Sequence, residues 1–129
     1  LMNNIILIVG LPGSGKSTLA NMINLDNNNN YKIVDDPKDF NKDIVPYLNQ
    51  DLIITDPFLC SERNRLFAKN KIMEHNPDVI IDWIFFENDP EACLVNAAKS
   101  NKKVEGFIKN QTKTYNIPPG SNVVEVYRE

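Results

Sequence analysis

The sequence lacks several features that would each assign it to a distinct class of protein. The apolar run at residues 5–9 is far too short to span a bilayer, and the first residues of the sequence lack the basic region, long apolar run and small-residue cleavage site of a signal peptide. It also lacks a basic excess: 14 Lys and Arg stand against 17 Asp and Glu, which gives a net charge of −3 and a pI near 5.2. We therefore expect a cytoplasmic protein without a membrane partner, which binds any polynucleotide through a few local cations.

Residues that form metal centres and disulfides are also scarce. The chain has two cysteines, Cys60 and Cys93, and a single histidine, His75, and these do not follow the spacing of a zinc site. Disulfides are rare in the cytosol. We therefore expect both cysteines to be buried free thiols in a reducing compartment.

Five short apolar runs rich in Ile and Val are what the sequence does contain. They cover residues 5–9, 31–34, 52–55, 79–86 and 123–127. Each run is nearly continuous rather than alternating, which is typical of strands buried on both faces of a parallel sheet. Segments with helical spacing lie between the runs. The sequence therefore predicts one α/β domain over residues 1–129, in which right-handed crossovers join strands and helices.

Helix start signals refine this pattern. Asp36-Pro37 and Asp89-Pro90 each predict an Asp N-cap followed by Pro at the first helical position. Ser61 predicts the cap of a helix that ends at His75. Asp82, midway along the fourth apolar run, is interpreted as a buried carboxylate whose hydrogen bonds are satisfied within the protein.

A glycine-rich loop after the first run fits the pattern G-x-x-x-x-G-K-[ST] at every fixed position, with a strand predicted before it and a helix after it. This phosphate-binding loop, or P-loop, and the residue after it comprise Gly10, Leu11, Pro12, Gly13, Ser14, Gly15, Lys16, Ser17 and Thr18. Backbone N–H groups of such a loop point at phosphates, and the helix N-terminus adds a partial positive charge. The pattern assigns Lys16 to the β- and γ-phosphates of ATP, Ser17 to Mg²⁺ and Thr18 to the α-phosphate side.

Features outside the loop bear on the class of P-loop protein. Guanine-selective proteins carry N-K-x-D, whereas residues 101–104 read NKKV and lack the Asp, so a GTPase is disfavoured. Kinases of small substrates place an acidic residue after the second strand and a basic lid late in the chain. Asp35 and Asp36 satisfy the first requirement, and Lys99, Lys102 and Lys103 satisfy the second.

Several segments together resemble a known family. These are "GLPGSGKSTLA", "IVDD", "LIITDPFLCSERNR" and "FFENDPEACLVNAAKSNKKVEGFI", within residues 5–115. Their order is similar to that of the phage polynucleotide kinases and their small P-loop relatives, some of which phosphorylate hydroxymethyl groups on modified pyrimidines of DNA. The resemblance implies a three-layer P-loop sandwich with a five-stranded parallel sheet of order 2-3-1-4-5, and ATP and Mg²⁺ as the donor. If the protein is encoded by a phage, the expected location is the host cytoplasm.

The resemblance also implies roles for individual residues. An aspartate after strand two acts as general base, which points to Asp36, with Asp35 as the alternative. Asp56, at the end of strand three, lies where a carboxylate reaches Mg²⁺ through water or orients the acceptor. Lys99 and Lys102 belong to the lid. On the acceptor side we expect Asp56, Lys38 and Arg63, with Arg65 as the other arginine of the same helix that is considered for a phosphate contact.

Two departures from the family leave the acceptor open. An arginine normally follows the strand-two aspartates and holds a 3′-phosphate, but Lys38 lies there instead, and the lid has lysines in place of arginines. The favoured acceptor is a hydroxyl on DNA, another nucleic acid or a nucleotide, including a hydroxyl borne on a base. The alternatives are a kinase of small metabolites or nucleoside monophosphates, and an ATP-binding regulatory or toxin-like module without transfer. The sequence carries no signal for the oligomeric state.

Overall fold

The computed structural model describes residues 2–128, which form one parallel sheet with helices on both faces. The strands are β1 (Asn4–Val9), β2 (Lys32–Asp35), β3 (Leu52–Thr55), β4 (Ile80–Phe86) and β5 (Val123–Val124). The helices are α1 (Lys16–Asp26), α2 (Phe40–Asp43), α3 (Glu62–His75), α4 (Pro90–Lys99) and α5 (Glu105–Thr114), with 3₁₀ turns at Val45–Tyr47 and Pro57–Cys60. Within this part of the chain, no helix is long and apolar enough to cross a membrane.

The strand order is β2-β3-β1-β4-β5, with every pairing parallel, which confirms the predicted fold class. β1 lies at the centre, where Ile5 pairs with Leu52 of β3 on one side and with Ile81 of β4 on the other. The chain order reverses between β1 and β4. In open α/β sheets ligands bind at this switch point, at the carboxyl ends of the strands.

The core lies on both faces of the two central strands. β1 and β3 are buried along nearly their whole length, as expected for strands covered by helices on each side. Ile72 of α3, Ala20 of α1 and Ile108 of α5 pack into this core. Cys60 and Cys93 are free, buried thiols, as predicted.

Two predicted helix starts are confirmed. The Asp89 carboxylate accepts a hydrogen bond from the Ala92 N–H at 3.0 Å, and Pro90 occupies the first turn of α4. The Ser61 hydroxyl accepts one from the Asn64 N–H at 3.1 Å, and α3 ends at His75 as expected. Each side chain satisfies an N–H that has no partner within its helix.

The predicted cap at Asp36 is wrong. Asp36 has a left-handed backbone with φ of 56°, and no helix begins at Pro37. The next helix, α2, begins at Phe40 instead. Its N-cap is Asp39, whose carboxylate accepts hydrogen bonds from the Asn41 and Lys42 N–H groups. Asp39 is the N-cap because its carboxylate reaches two N–H groups of the first helical turn, whereas the left-handed backbone of Asp36 does not lead into a helix.

The interpretation of Asp82 as a buried carboxylate is also wrong, because its side chain is exposed. Among the described residues, β5 pairs with β4 only at Phe85 and Phe86. The first half of β4 therefore lies at the edge of the sheet. β5 itself is shorter than predicted, because the Val126 N–H turns to the Glu87 carboxylate at 3.1 Å rather than continuing the ladder.

Candidate functional site

The P-loop connects β1 to α1 and has the backbone that its glycines permit. Gly13 has a φ of 85°, and a Cβ at this position would lie 2.4 Å from the Cys93 carbonyl oxygen of α4. Gly15, with a φ of 110°, precedes the first residue of α1. Positive φ angles of this kind strain residues with a side chain, so the loop depends on glycine at both positions.

Lys16 begins α1 and folds back over the loop. Its ammonium donates a hydrogen bond to the Leu11 carbonyl at 3.0 Å, and only 9% of the residue is exposed. Burial lowers the pKa of Lys16, while the neighbouring Cys60, Asp36, Cys93 and Asp35 act in the opposite direction. The loop therefore holds its cation close to carboxylates and partly out of water.

Ser17, in the first turn of α1, contacts the end of β2. Its hydroxyl donates to both carboxylate oxygens of Asp35, each at 3.0 Å. The buried hydroxyl of Thr55, at the end of β3, also donates to Asp35. Oxygen ligands of this type suit Mg²⁺, which is usually held by one or two protein oxygens together with substrate phosphates and water. Among residues 2–128 there is no cluster of three acidic, His or Cys side chains that could bind a metal.

Asp36 follows Asp35 in the chain but makes different contacts. Its N–H donates to the Thr55 carbonyl at 2.8 Å, and its side chain is exposed and lines the cavity. A non-glycine residue in the left-handed region is strained, and such strain is common at functional sites. Thr55 therefore positions both aspartates, Asp35 through its side chain and Asp36 through its backbone. This role was not predictable from the sequence, because a Thr at a strand end has no local signature.

Asp56 is the third carboxylate at this edge of the sheet. It accepts a hydrogen bond from the Phe58 N–H at 2.9 Å and caps the following 3₁₀ turn. Burial raises its pKa to about 6, and the nearby Asp36 charge adds to this rise, whereas the Phe58 hydrogen bond and Lys16 oppose it. A carboxyl that changes charge near neutral pH is a common feature of catalytic sites.

A cavity of about 1310 Å³ joins these groups at the carboxyl ends of the strands. Its lining includes the P-loop from Pro12 to Thr18 and the three carboxylates of Asp35, Asp36 and Asp56. Three of the predicted cations also line it, namely Lys38, Lys99 and Lys102. Lys103 and Arg63, both exposed, are not part of its lining. The structure thus brings most of the predicted site residues into one cavity.

Arg65, one of the two arginines expected on the acceptor side, is a buried structural residue. It is 6% exposed, and its guanidinium donates to the carbonyls of Leu59 and Cys60 at 2.9 and 2.8 Å and to the Asn116 side chain at 2.9 Å. These bonds hold the 3₁₀ turn after Asp56 in place. Arg65 is not part of the cavity lining, so the prediction of an acceptor-side arginine rests on Arg63.

α4 contacts the P-loop directly. The side-chain amide of Asn96 donates to the Gly13 carbonyl at 3.0 Å and to the Tyr127 carbonyl at 2.8 Å. Asn96 therefore connects the P-loop to the segment after β5. Lys99 is the last residue of the same helix, and Lys102 lies in the turn that follows it. This contact could not be predicted from the sequence, because 83 positions separate Asn96 from Gly13.

Comparison with known proteins agrees with this geometry. The family model described as Novel STAND NTPase 3 matches residues 1–80. A gluconokinase from Sinorhizobium meliloti 1021 has a similar structure, with a TM-score of 0.64 at 15% identity over 98% of this chain and 84% of that one. A fungal RNA kinase has a TM-score of 0.63 at 12% identity over 98% and 75%. No curated protein matches the sequence. At these identities the two structures show a shared fold.

Proposed function

The chain belongs to the Novel STAND NTPase 3 family, and from this membership we propose that it binds ATP with Mg²⁺ and transfers the γ-phosphoryl group to a hydroxyl of a nucleic acid or nucleotide. Family membership supports binding of a nucleoside triphosphate. The choice of a kinase over a simple hydrolase needs a further observation.

That observation is the shape of the cavity beyond the P-loop. Hydrolysis needs room for one water molecule beside the nucleotide, whereas this cavity of about 1310 Å³ is lined by Asp36, Asp56 and Lys38 as well as by the P-loop. Asp36 and Asp56 are near enough to Lys16 to interact with its charge. A hydroxyl that enters from this side would meet a carboxylate on its way to the phosphates, which is the arrangement that phosphoryl transfer requires.

The proposed reaction gives each residue a role. Asp36 accepts the proton of the acceptor hydroxyl as that oxygen attacks the γ-phosphorus, and the bond from phosphorus to the oxygen bridging to the β-phosphate breaks to release ADP. Lys16 and the lid cations Lys99 and Lys102 stabilise the charge on the transferring group. Ser17 and Asp35 would hold Mg²⁺, which would supply positive charge against the phosphates.

The acceptor class rests on resemblance and fold. The likeness to polynucleotide kinases covers the P-loop, the strand-two aspartates and the lid, and one protein of similar fold is by its name an RNA kinase. Lys38 replaces the arginine expected after Asp36. A lysine is a point charge without bidentate geometry, so we expect poor selection for an acceptor 3′-phosphate and a preference for an internal or base-borne hydroxyl.

The family name favours a second candidate, an ATP-binding module that hydrolyses slowly and phosphorylates no other molecule. Labelled ATP, incubated with DNA, RNA, nucleosides, nucleoside monophosphates and sugars, separates the two. The kinase proposal expects label on a nucleic acid or nucleotide. Label released as inorganic phosphate alone, from a folded sample, would support the second candidate, and label on a sugar alone would indicate a metabolite kinase.

A competition at fixed salt then tests the preference among nucleic acids. One oligonucleotide carries a plain 5′-hydroxyl, and the other carries 5-hydroxymethyluracil with both ends blocked. We expect more label on the base-borne hydroxyl. Strong preference for the plain 5′ end would contradict this expectation and would support the ordinary acceptor of polynucleotide kinases, a 5′-hydroxyl.

A further inference from the structure

Four of the phenylalanines that line the cavity contact one another in pairs, and we call them the aromatic wall: Phe40, Phe58, Phe67 and Phe107. They form two edge-to-face pairs. Phe40 and Phe67 have ring centroids 6.0 Å apart at an interplanar angle of 76°, and Phe58 and Phe107 have centroids 5.5 Å apart at 88°. Each pair joins residues from different elements, so the wall is a product of the tertiary structure.

Two rings of the wall remain open to solvent. Phe58 is 53% exposed and Phe67 is 55% exposed, although each already contacts its partner ring. Leaving large apolar surface in water forgoes the free energy that burial would give, and exposed apolar surface that lines a cavity is typical of binding sites. Leu66, the neighbour of Phe67, is equally exposed at 58% but does not line the cavity.

The backbone of Phe58 is fixed relative to Asp56, one of the carboxylates that line the cavity. The Phe58 N–H donates to Asp56 at 2.9 Å, and the Phe58 carbonyl accepts a hydrogen bond from the Asn64 side chain at 2.7 Å. Both bonds hold the backbone of the 3₁₀ turn, so the Cα atom that carries the Phe58 ring has a defined position two residues after Asp56. Lys38 lines the same cavity and supplies a cation.

We propose that the exposed rings of Phe58 and Phe67 form a stacking platform for a base of a single-stranded nucleic acid, with Lys38 beside its phosphate. This inference rests on the proposed function and names the part of the acceptor that the protein recognises. Every nucleobase has a π-face, and stacking on aromatic rings tolerates sequence changes. Bases of a duplex are already stacked on each other, so single strands are the form that fits.

The chemistry of the wall argues against a sugar as occupant. A sugar can pack its C–H face on a ring, but the phenylalanines offer no hydrogen-bond partners for its many hydroxyl groups. A base offers a flat apolar face to the rings and leaves its polar edge in water. The acidic net charge of −3 also means that binding of a polyanion depends on such local contacts.

The test compares two single-stranded oligomers of equal length and charge, oligothymidylate and its abasic counterpart. Binding is measured by fluorescence anisotropy at fixed salt without ATP. We expect oligothymidylate to bind about 5- to 100-fold more tightly, since stacking of each base contributes on this scale. Phe58→Leu with Phe67→Leu keeps apolar volume but removes the π-faces, and it should abolish this difference. Leu66→Ala is the matched control and should preserve it.

The outcomes for the platform and for the kinase are separate. Base-dependent binding that is lost in the double variant supports the platform even where no phosphoryl transfer is detected, in which case the kinase proposal fails alone. Equal binding of the two oligomers, or no binding of either, overturns the platform. A base preference that survives in the folded double variant overturns it too, whether or not the protein transfers phosphate. Phe58→Trp, which keeps an aromatic face, should retain the preference.

Discussion

The Ser17 hydroxyl lies 3.0 Å from both carboxylate oxygens of Asp35. A residue in the first turn of α1 is therefore hydrogen-bonded to a residue at the end of β2. Asp35 also accepts a hydrogen bond from Thr55. A carboxylate held by two hydroxyls is poorly placed to collect a proton from an incoming acceptor. We therefore assign Asp35 to the metal side of the proposed reaction and Asp36 to the acceptor side.

The first prediction concerns the metal. Ser17→Ala removes an oxygen ligand of the metal, and Asp35→Asn removes the charge of another. Both variants should therefore need more Mg²⁺ for half-maximal activity. In the presence of Mg²⁺ they should also bind ATP more weakly than the parent does. Transfer rates over a range of Mg²⁺ concentrations measure the metal requirement, and calorimetric titration with ATP, in Mg²⁺ and in EDTA, measures the affinity. Asp78→Asn, an exposed residue outside the cavity lining, is the control. An unchanged Mg²⁺ dependence in both variants would contradict the assigned metal side.

The second prediction concerns Lys16. Lys16→Ala removes the cation that the loop holds beside its phosphate site, so ATP affinity and transfer should both collapse while the circular dichroism spectrum stays that of a folded protein. Lys69→Ala, an exposed lysine on α3 outside the cavity lining, should have no effect. ATP binding at the parental affinity in Lys16→Ala, by calorimetry with Mg²⁺, would show that the loop is not the nucleotide site.

The third prediction separates the two strand-two aspartates. Asp36→Asn should lower the transfer rate by about 10²- to 10⁴-fold with little change in ATP affinity, the usual contribution of a positioned base. Asp35→Asn should instead change the Mg²⁺ dependence as well as the rate. Single-turnover rates at saturating Mg²⁺ distinguish them. A nearly silent Asp36→Asn together with a large loss at Asp35 would move the base by one residue.

The fourth prediction concerns Asp56 and pH. Its folded-state pKa of about 6 lies above the ordinary value of 3.8, so ionisation is harder in the folded protein than in the unfolded chain. Stability should therefore fall as pH rises from about 4 to about 6, and stay lower above that range. Asp56→Asn retains an acceptor for the Phe58 N–H and removes the charge.

Denaturant unfolding of the parent and Asp56→Asn at several pH values tests this linkage. The variant should be about 1–2 kcal/mol more stable than the parent at pH 7.5, after the shift is reduced for partial solvent screening, and equal to it near pH 3.5. A stability difference that does not vary with pH would show that the Asp56 carboxyl has an ordinary pKa.

The fifth prediction uses the two arginines of α3 as a matched pair. Arg65→Lys cannot keep the hydrogen bonds to Leu59, Cys60 and Asn116, so the free energy of unfolding should fall by about 2–3 kcal/mol. Arg63→Lys, on the exposed side of the same helix, should change it by less than about 0.5 kcal/mol. Denaturant titration measures both. Equal stability of the two variants would contradict the structural role of Arg65.

The fold was largely predictable because its signals are local. Continuous Ile and Val runs predicted β1 and β3, and β3 was placed at its observed bounds. Capping side chains at Ser61 and Asp89 predicted the starts of α3 and α4. The P-loop is a contiguous pattern, and the sequence alone therefore placed the candidate nucleotide site between β1 and α1.

The remaining site residues depend on contacts between distant segments, which only the tertiary structure decided. Whether an aspartate after β2 caps a helix or faces a cavity depends on Thr55, which lies 20 positions after Asp35. The burial of Arg65 depends on Asn116, 51 positions away. The aromatic wall likewise joins rings from α2, α3, α5 and a 3₁₀ turn. Side-chain type and spacing determine which elements form and which backbone turns are possible, but the packing of elements against one another determines which side chains meet.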